Sequence, residues 1–466
     1  MKRSYIYQAG CWMLSLLCLL SCEQVDLNKG VTARKGLLNF SIAIPNQATE
    51  YPATVAGPYA DGDTIYINVP STEESPLDLK SLKPYASLDH NSTIQPALGG
   101  TMDFSSPLTI RVTDGAGAVA RYVVKVVPSL PKTVFSKLWF KTSDVLGIKR
   151  TNISGLAVAG DYLLVADFNG GNTTVDDGIR VLNKNTGELV KSIAPPTTFC
   201  MQVNSDDAGH FIVNRYNVYS AGFVVYYYDD IDSVPKQILN YTAAAGCPVN
   251  LGRKVSVIGN LKSGKAFIYA TTNGNNSIHY WEFEDGVALK NEPTIIRYAG
   301  AEAWTFAAVQ RKSLDPLSDH YFTYCNYNTS DPNLTQGSRF VSFTPDMEVT
   351  AMATRNHYYK ILGFNTFKVQ GEEFTAMLTQ GYYAWDATHL KVFETNDPSR
   401  FNLVPGGAGY SDFMLFESEA YGGTNYNRSG DIVADVRGNE VYFYATMATN
   451  AASTSGVMVY KMKYNK

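Results

Sequence analysis

Six short apolar runs of one design constrain this chain more than any other feature in it. They read Leu163-Leu164-Val165-Ala166-Asp167, Phe211-Ile212-Val213-Asn214-Arg215, Phe267-Ile268-Tyr269-Ala270-Thr271, Tyr321-Phe322-Thr323-Tyr324-Cys325, Thr375-Ala376-Met377-Leu378-Thr379 and Tyr442-Phe443-Tyr444-Ala445-Thr446. Their starts lie 48 to 67 residues apart, a little above the usual spacing of β-propeller blades. A run of five or six apolar, β-branched and aromatic residues between turn signals reads as a strand buried on both faces.

The first run shows the unit. An inner strand, Gly155–Ala159, turns at Gly160-Asp161 into Tyr162–Asp167, a polar loop leads to Ile179–Asn183, and Asn185-Thr186-Gly187 turns that strand into Glu188–Ile193. Four up-and-down strands beside the start of a similar unit form one propeller blade. Third strands recur at Gly222–Tyr226, Ser277–Trp281, Arg339–Phe343, His389–Phe393 and Gly456–Tyr460. Fourth strands follow at Lys236–Tyr241, Thr294–Tyr298 and Val349–Thr354, with a fainter candidate at Phe401–Val404. The sixth unit has none, and Thr133–Phe140 has no partner of its own. Borrowing that strand closes the ring and removes its exposed edges. The expected class is therefore all-β, with a six-bladed propeller over 132–466 closed by an N-terminal strand; a seventh blade within Gly406–Ser429 is the alternative.

The preceding segment has the alternation of a small antiparallel sandwich. Leu38–Ile42, Thr64–Val69, Leu108–Val112 and Arg121–Val127 place every second side chain inward, and Pro128 and Pro131 mark a boundary. About ninety residues over 36–128 is the size of an immunoglobulin-like domain. Upstream, Lys2 and Arg3 precede an apolar run from Cys11 to Leu20 that is too short to span a bilayer. Residues 1–21 are thus expected to be a signal peptide, and the polar stretch 22–35 a tether.

Leu19-Leu20-Ser21-Cys22 resembles a bacterial lipoprotein signal, which implies lipidation of Cys22. The sandwich resembles the Ig-like domains of Bacteroidetes surface lipoproteins through Asp63–Pro70, Leu79–Pro84, Asp103-Phe104-Ser105 and Tyr122–Val126. By that resemblance it is a spacer, Glu23 and Asp26 favour export to the cell surface, and the propeller half is similar to an uncharacterised family of the same bacteria. The resemblance implies an outer-membrane lipoprotein, surface-exposed or, alternatively, facing the periplasm.

Without Lys2 and Arg3, 37 basic residues stand against 43 acidic ones, with no basic cluster, so nucleic acid is not an expected partner. After the signal and the anchor, Cys200, Cys247 and Cys325 remain. Three buried thiols is the plainer reading, and a Cys200–Cys247 bridge the other.

Strand parity assigns the loops to faces. Those after first and third strands are mostly tight, as at Gly160-Asp161, Asp206–Gly209, Gly371-Glu372 and Gly438-Asn439. Those after second strands, Asn169–Asp177, Arg215–Ala221, Thr272–Asn276, Asn326–Ser338, Gln380–Thr388 and Ala448–Ser455, are longer and rich in Asn, Tyr, Gly and Thr. Long loops on a rigid scaffold are where binding surfaces form. The candidate ligand-binding residues are Asn169, Arg215, Tyr216, Asn273, Asn326, Tyr327, Gln380, Tyr382, Trp385, Asn425 and Tyr426. Flat aromatic faces edged by amides and cations suit a sugar ring, and suit a peptide nearly as well. Gly406–Gly430 is either a lid or a packed Ω-loop. Trp281 and Trp304 are expected to pack between blades.

No histidine or cysteine spacing makes a metal site, no Gly-x-Ser-x-Gly elbow or phosphate loop is present, and adjacent acids such as Asp176-Asp177 are ordinary solvated turns. No catalytic residue, metal or cofactor is therefore expected, although a propeller axis can gather distant carboxylates. The leading expectation is a non-catalytic surface lipoprotein that binds polysaccharide or oligosaccharide, and the resemblance to Bacteroidetes lipoproteins implies a place beside an outer-membrane glycan transporter. The alternatives are a propeller glycan hydrolase or lyase, and a protein-interaction scaffold in an envelope complex.

Overall fold

The computed structural model describes residues 36–465 except 48, 73–74, 150, 152, 169–177, 299–305, 326–338, 354–358, 382, 384, 423 and 426–428. The structure is nearly all β, and the chain divides into two units, Met1–Pro131 and Lys132–Lys466.

In the first unit, Glu50–Pro52, Leu37–Ala43 and Lys83–Leu88 form one sheet, and Thr64–Pro70, Val119–Ser129, Leu108–Thr113 and Thr93–Gln95 form another. Alternation does the sorting: Ile65, Ile67 and Val69 are buried while Thr64, Tyr66 and Asn68 are exposed. These residues share a core with Phe40, Ile42, Ile110, Tyr122 and Val124 from the other strands. One pairing departs from the antiparallel expectation, because Thr64–Pro70 runs parallel to Val119–Ser129. A parallel pair needs a long crossover, and the chain between these strands supplies it with three strands of its own.

Among its described residues the second unit holds six antiparallel sheets in chain order, here I to VI. Their first strands are Leu156–Ala159, Cys200–Ser205, Leu251–Gly259, Phe306–Arg311, Tyr359–Val369 and Ile432–Arg437. Sheet VI takes its fourth strand from the start of the unit: Thr133–Thr142 pairs antiparallel with Gly456–Tyr464. Each first strand contacts the next, and that of sheet VI contacts that of sheet I.

The gaps between sheets are filled with apolar side chains, which supply most of the stabilisation at about 1.5–3 kcal/mol for each large buried residue. Leu164 and Val181 meet Val203 and Phe211 between I and II, and Phe223 meets Trp281 between II and III. Further clusters lie between III and IV, between IV and V, and between V and VI. The last cluster joins Tyr444, Val457 and Val459 of sheet VI to Leu156, Leu163 and Val165 of sheet I. The six gaps thus form a cyclic series. Trp281 is fully buried, stacked 5.2 Å from Phe223, while Trp304 lies outside the described residues.

One expectation needs revision. The fourth strand of sheet V is Met414–Glu417, and Phe401–Val404 forms none of it. Asp397 caps a 3-10 turn over Pro398–Asn402, which drives Phe401 into the core against Phe340, Phe393 and Phe413. Among the described residues of 406–429 the only strand is the one completing sheet V. Cys200, Cys247 and Cys325 are buried.

Candidate functional site

The first strands are stitched to one another by polar side chains that bond the neighbouring backbone. Gln202 donates to Ser154 O at 2.6 Å and accepts from Val255 N at 2.8 Å, linking sheets I, II and III. Ser256 donates to Val309 O, Gln310 accepts from Thr366 N, Asn365 accepts from Ala434 N, and Asp431 accepts from Leu156 N. Every junction of the cycle, VI to I included, carries such a bond. Inner strands splayed around an axis cannot hydrogen-bond one another as a ladder, so side chains take over that role.

Lys254 spans the axis. From sheet III its ammonium donates to Ser154 O at 3.1 Å, Gly430 O at 2.6 Å and Asp431 Oδ1 at 3.1 Å, so sheets I and VI are reached by one side chain. Its burial pushes its pKa below the usual lysine value, with the Asp431 carboxylate acting in the opposite direction. Glycines admit this crowding: a Cβ on Gly363 would stand 3.1 Å from Asp431 Oδ1, and one on Gly155 would stand 2.8 Å from Val203 N.

Beyond Lys254 the axis opens into a cavity of about 640 Å³ lined by the first strands of all six sheets and reaching the turns at Gly160 and Ala208-Gly209. Asn204, Ser205, Ser256, Gln310, Asn365 and Thr366 make its wall largely polar. Four carboxylates line it, and most are already engaged. Asp206 accepts from Ala208 N, His210 N and Leu261 N; Asp207 accepts from Gly259 N; Asp435 holds Lys184 and Arg437. The cavity therefore reaches the tight-turn face, and Lys254 sits at the end nearer the starts of the first strands, the side of the long loops.

Several sequence candidates converge on one corner of the long-loop face, between sheets II and III. The Arg215 guanidinium bonds Gly222 O and Ala221 O within its own loop, and the Tyr216 hydroxyl donates to Asn250 Oδ1 at 3.0 Å. Asn273 N donates to Asn250 O at 3.1 Å. Arg215, Tyr216 and Asn273 thus frame the corner. What that frame presents was not among the candidates: Tyr219 is 78% exposed, with Phe199 edge-on at 6.2 Å. Phe199, Tyr219, Ser220 and Asn250 all adopt left-handed φ values, 61°, 54°, 62° and 68°. Such a backbone is uncommon for bulky residues. Fully buried Asn217 holds it, accepting from Gly222 N and donating to Pro248 O.

Trp385 lies at the tip of the sheet V loop, 61% exposed and stacked on Tyr383 at 4.6 Å and 5°. Asp386 fixes the loop by accepting from Tyr383 N at 2.7 Å, and Gln380 is buried beneath it. Asn425 is buried too, its amide bonding both Ser429 O and Ser429 N within its own loop. Asn169, Asn326, Tyr327, Tyr382, Tyr426 and Cys22 lie outside the described residues. Lys254 carried one legible signal, the Arg253-Lys254 pair within the otherwise mostly apolar run Leu251–Gly259. Nothing in the residue order marks Tyr219 apart from its many fellow tyrosines.

Residues 137–454 match the model of a domain of unknown function, DUF8500, over most of the chain. The chain belongs to that family. Residues 17–126 match a second domain of unknown function, DUF5018. No curated protein sequence matches the chain. Among solved structures, a DUF4623 family protein from Bacteroides eggerthii is similar with a TM-score of 0.53 at 14% identity, covering 92% of this chain and 98% of that one. At that identity the likeness speaks for the fold alone. A subtype N10 neuraminidase-like protein of A/little yellow-shouldered bat/Guatemala is similar at a TM-score of 0.37 and 10% identity over 67% of this chain and 94% of that one. A mutant of AofleA from Arthrobotrys oligospora gives 0.40 and 7% over 68% and 83%. Neither is near enough to inform the site.

Proposed function

We propose that this protein is a surface lipoprotein, anchored in the outer membrane through Cys22, that captures polysaccharide without cleaving it. In this reading residues 36–128 are an Ig-like spacer, supported by two sheets on one shared core. Residues 132–466 are a six-bladed β-propeller closed by its N-terminal strand, supported by the cyclic contacts and by the pairing of Thr133–Thr142 with Gly456–Tyr464. Capture beside an outer-membrane glycan transporter is the cellular setting proposed.

The observation that carries the reading is the Trp385–Tyr383 pair. An indole held flat and mostly in water, on a loop that Asp386 ties to its own backbone, gains little for folding. It offers instead a rigid apolar plane, the surface against which the C–H face of a sugar ring packs at low entropic cost. The test is native affinity electrophoresis of the soluble chain from residue 23 in gels containing a broad panel of polysaccharides. At least one gel is expected to retard it, and Trp385→Ala is expected to remove most of that retardation without altering the urea midpoint. Unretarded migration across the panel would overturn the reading.

A glycan hydrolase or lyase is the second reading, favoured by the polar axial cavity with Asp207 and Asp435 on its wall. Release of oligosaccharides from a retarding polysaccharide, abolished by Asp207→Asn or Asp435→Asn in folded protein, would establish it.

A further inference from the structure

We infer that the Phe199–Tyr219 corner is a second aromatic contact for the same ligand, and that this ligand is a long, neutral polysaccharide lying across the face from sheet II to sheet V. The inference rests on the carbohydrate reading above.

Three observations carry it. The first is placement. Tyr219 and Trp385 both stand on loops between second and third strands, in sheets II and V. The first strands begin at one common level, since Lys254, Ser154 and Gly430 meet there, and first strands II and III end together at the Asp207–Gly259 contact. Loops after second strands therefore emerge on one face. Three places apart in a cycle of six, these two stand opposite one another.

The second is construction. Four of the nine non-glycine residues with left-handed backbone among the described residues fall in this corner, and the two aromatic ones there, Phe199 and Tyr219, face each other. Strained backbone persists only where its surroundings overdetermine it, and such residues cluster at ligand contacts. Here Asn217, Arg215 and Asn250 do the holding, through bonds to Gly222, Pro248, Ala221 and Tyr216. An elaborate frame that leaves its tyrosine in water is organised around display.

The third is charge. The Arg215 guanidinium is occupied by backbone carbonyls, and the Asp386 carboxylate by Tyr383 N. At both contacts the group offered to solvent is an aromatic ring, while these charged side chains are turned to the backbone of their own loops, which suits a neutral sugar chain.

With sheets about 10 Å apart and strands about 5 Å apart, loops on opposite sheets stand on the order of 30 Å from each other, about six sugar rings. A chain of that length makes the second contact intramolecular. Its effective concentration raises affinity by orders of magnitude without any new bond, and shorter chains gain nothing.

The experiment is calorimetric titration of the soluble chain from residue 23 with cello-, xylo-, manno- and malto-oligosaccharide ladders of two to ten rings. In at least one ladder, affinity is expected to rise at least tenfold between four and eight rings. Tyr219→Asn, which removes the ring and tolerates left-handed φ, is expected to abolish the rise, so that long members bind no more tightly than short ones. A flat length dependence, or a rise that persists in Tyr219→Asn with an unaltered urea midpoint, overturns the second contact while leaving carbohydrate binding standing. Absence of binding by every ladder, together with no retardation in any polysaccharide gel, overturns both.

Discussion

Lys254 of the third sheet and Asp431 of the sixth meet across the axis at 3.1 Å, and the same ammonium bonds Ser154 O beside the first sheet. One side chain thereby ties together three sheets that are distant in sequence. A buried pair of this kind is weak evidence of net stabilisation, because desolvation offsets attraction, but removing one partner strands the other.

Replacing Lys254 by Met is accordingly expected to destabilise the second unit by about 2–3 kcal/mol, because the half-buried Asp431 carboxylate loses its counter-charge and Ser154 O and Gly430 O lose their donor. Adding Asp431→Asn to that variant should recover part of the loss. Urea unfolding of the four members of the cycle measures the coupling, and additive losses would show that the two groups act independently.

Histidine burial sets an acid limit. Desolvation, helped by nearby Arg297 and Arg311 respectively, pushes His279 and His320 down to about 4 from 6.5. Between those values the unfolded chain binds protons that the fold does not, so stability falls as pH drops from 6.5 to 4, by on the order of 3 kcal/mol for each histidine. Urea midpoints at pH 7 and pH 5 should differ accordingly, and the His279→Gln, His320→Gln double variant should flatten the profile. An unchanged slope in that variant would assign the acid sensitivity elsewhere.

Gly155 faces backbone. A Cβ there would stand 2.8 Å from Val203 N and 2.9 Å from the Gln202 Cα, neither of which can swing aside. Gly155→Ala is expected to cost about 1–3 kcal/mol by forcing sheets I and II apart. Gly160→Ala meets no atom within 4 Å and bears only the strain of its left-handed φ, so its urea midpoint should shift less.

The three thiols should be silent in the native protein. Cys200, Cys247 and Cys325 are buried, and burial pushes the Cys247 thiol up to about 11. A chain beginning after Cys22 is expected to release almost no thionitrobenzoate from Ellman's reagent at pH 8, and about three equivalents after urea is added. Prompt native reaction of one thiol would mean that its sheet opens readily.

What the residue order determined by itself is the all-β class and the cadence of the second unit. Alternation and apolar runs are local properties of a strand, and a run such as Tyr442–Thr446 declares itself without knowledge of its neighbours. The lone strand near residue 133 was legible for the same reason, since an edge without a partner is a deficit visible in the strand count. Faces followed from parity, which located Arg215, Tyr216, Gln380 and Trp385 on loops but could not separate frame from display. Arg215 and Gln380 turn out to be consumed in holding their loops, whereas Tyr219, one tyrosine among 31, is the ring held in water. The parallel strand pair, the Met414–Glu417 strand and the cavity were likewise invisible. Each depends on groups brought together from far along the chain: Lys254 with Asp431, Gln202 with Ser154 and Val255, Phe199 with Tyr219. Only the packing of distant sheets against one another decides which polar groups meet a partner inside and which are left in water.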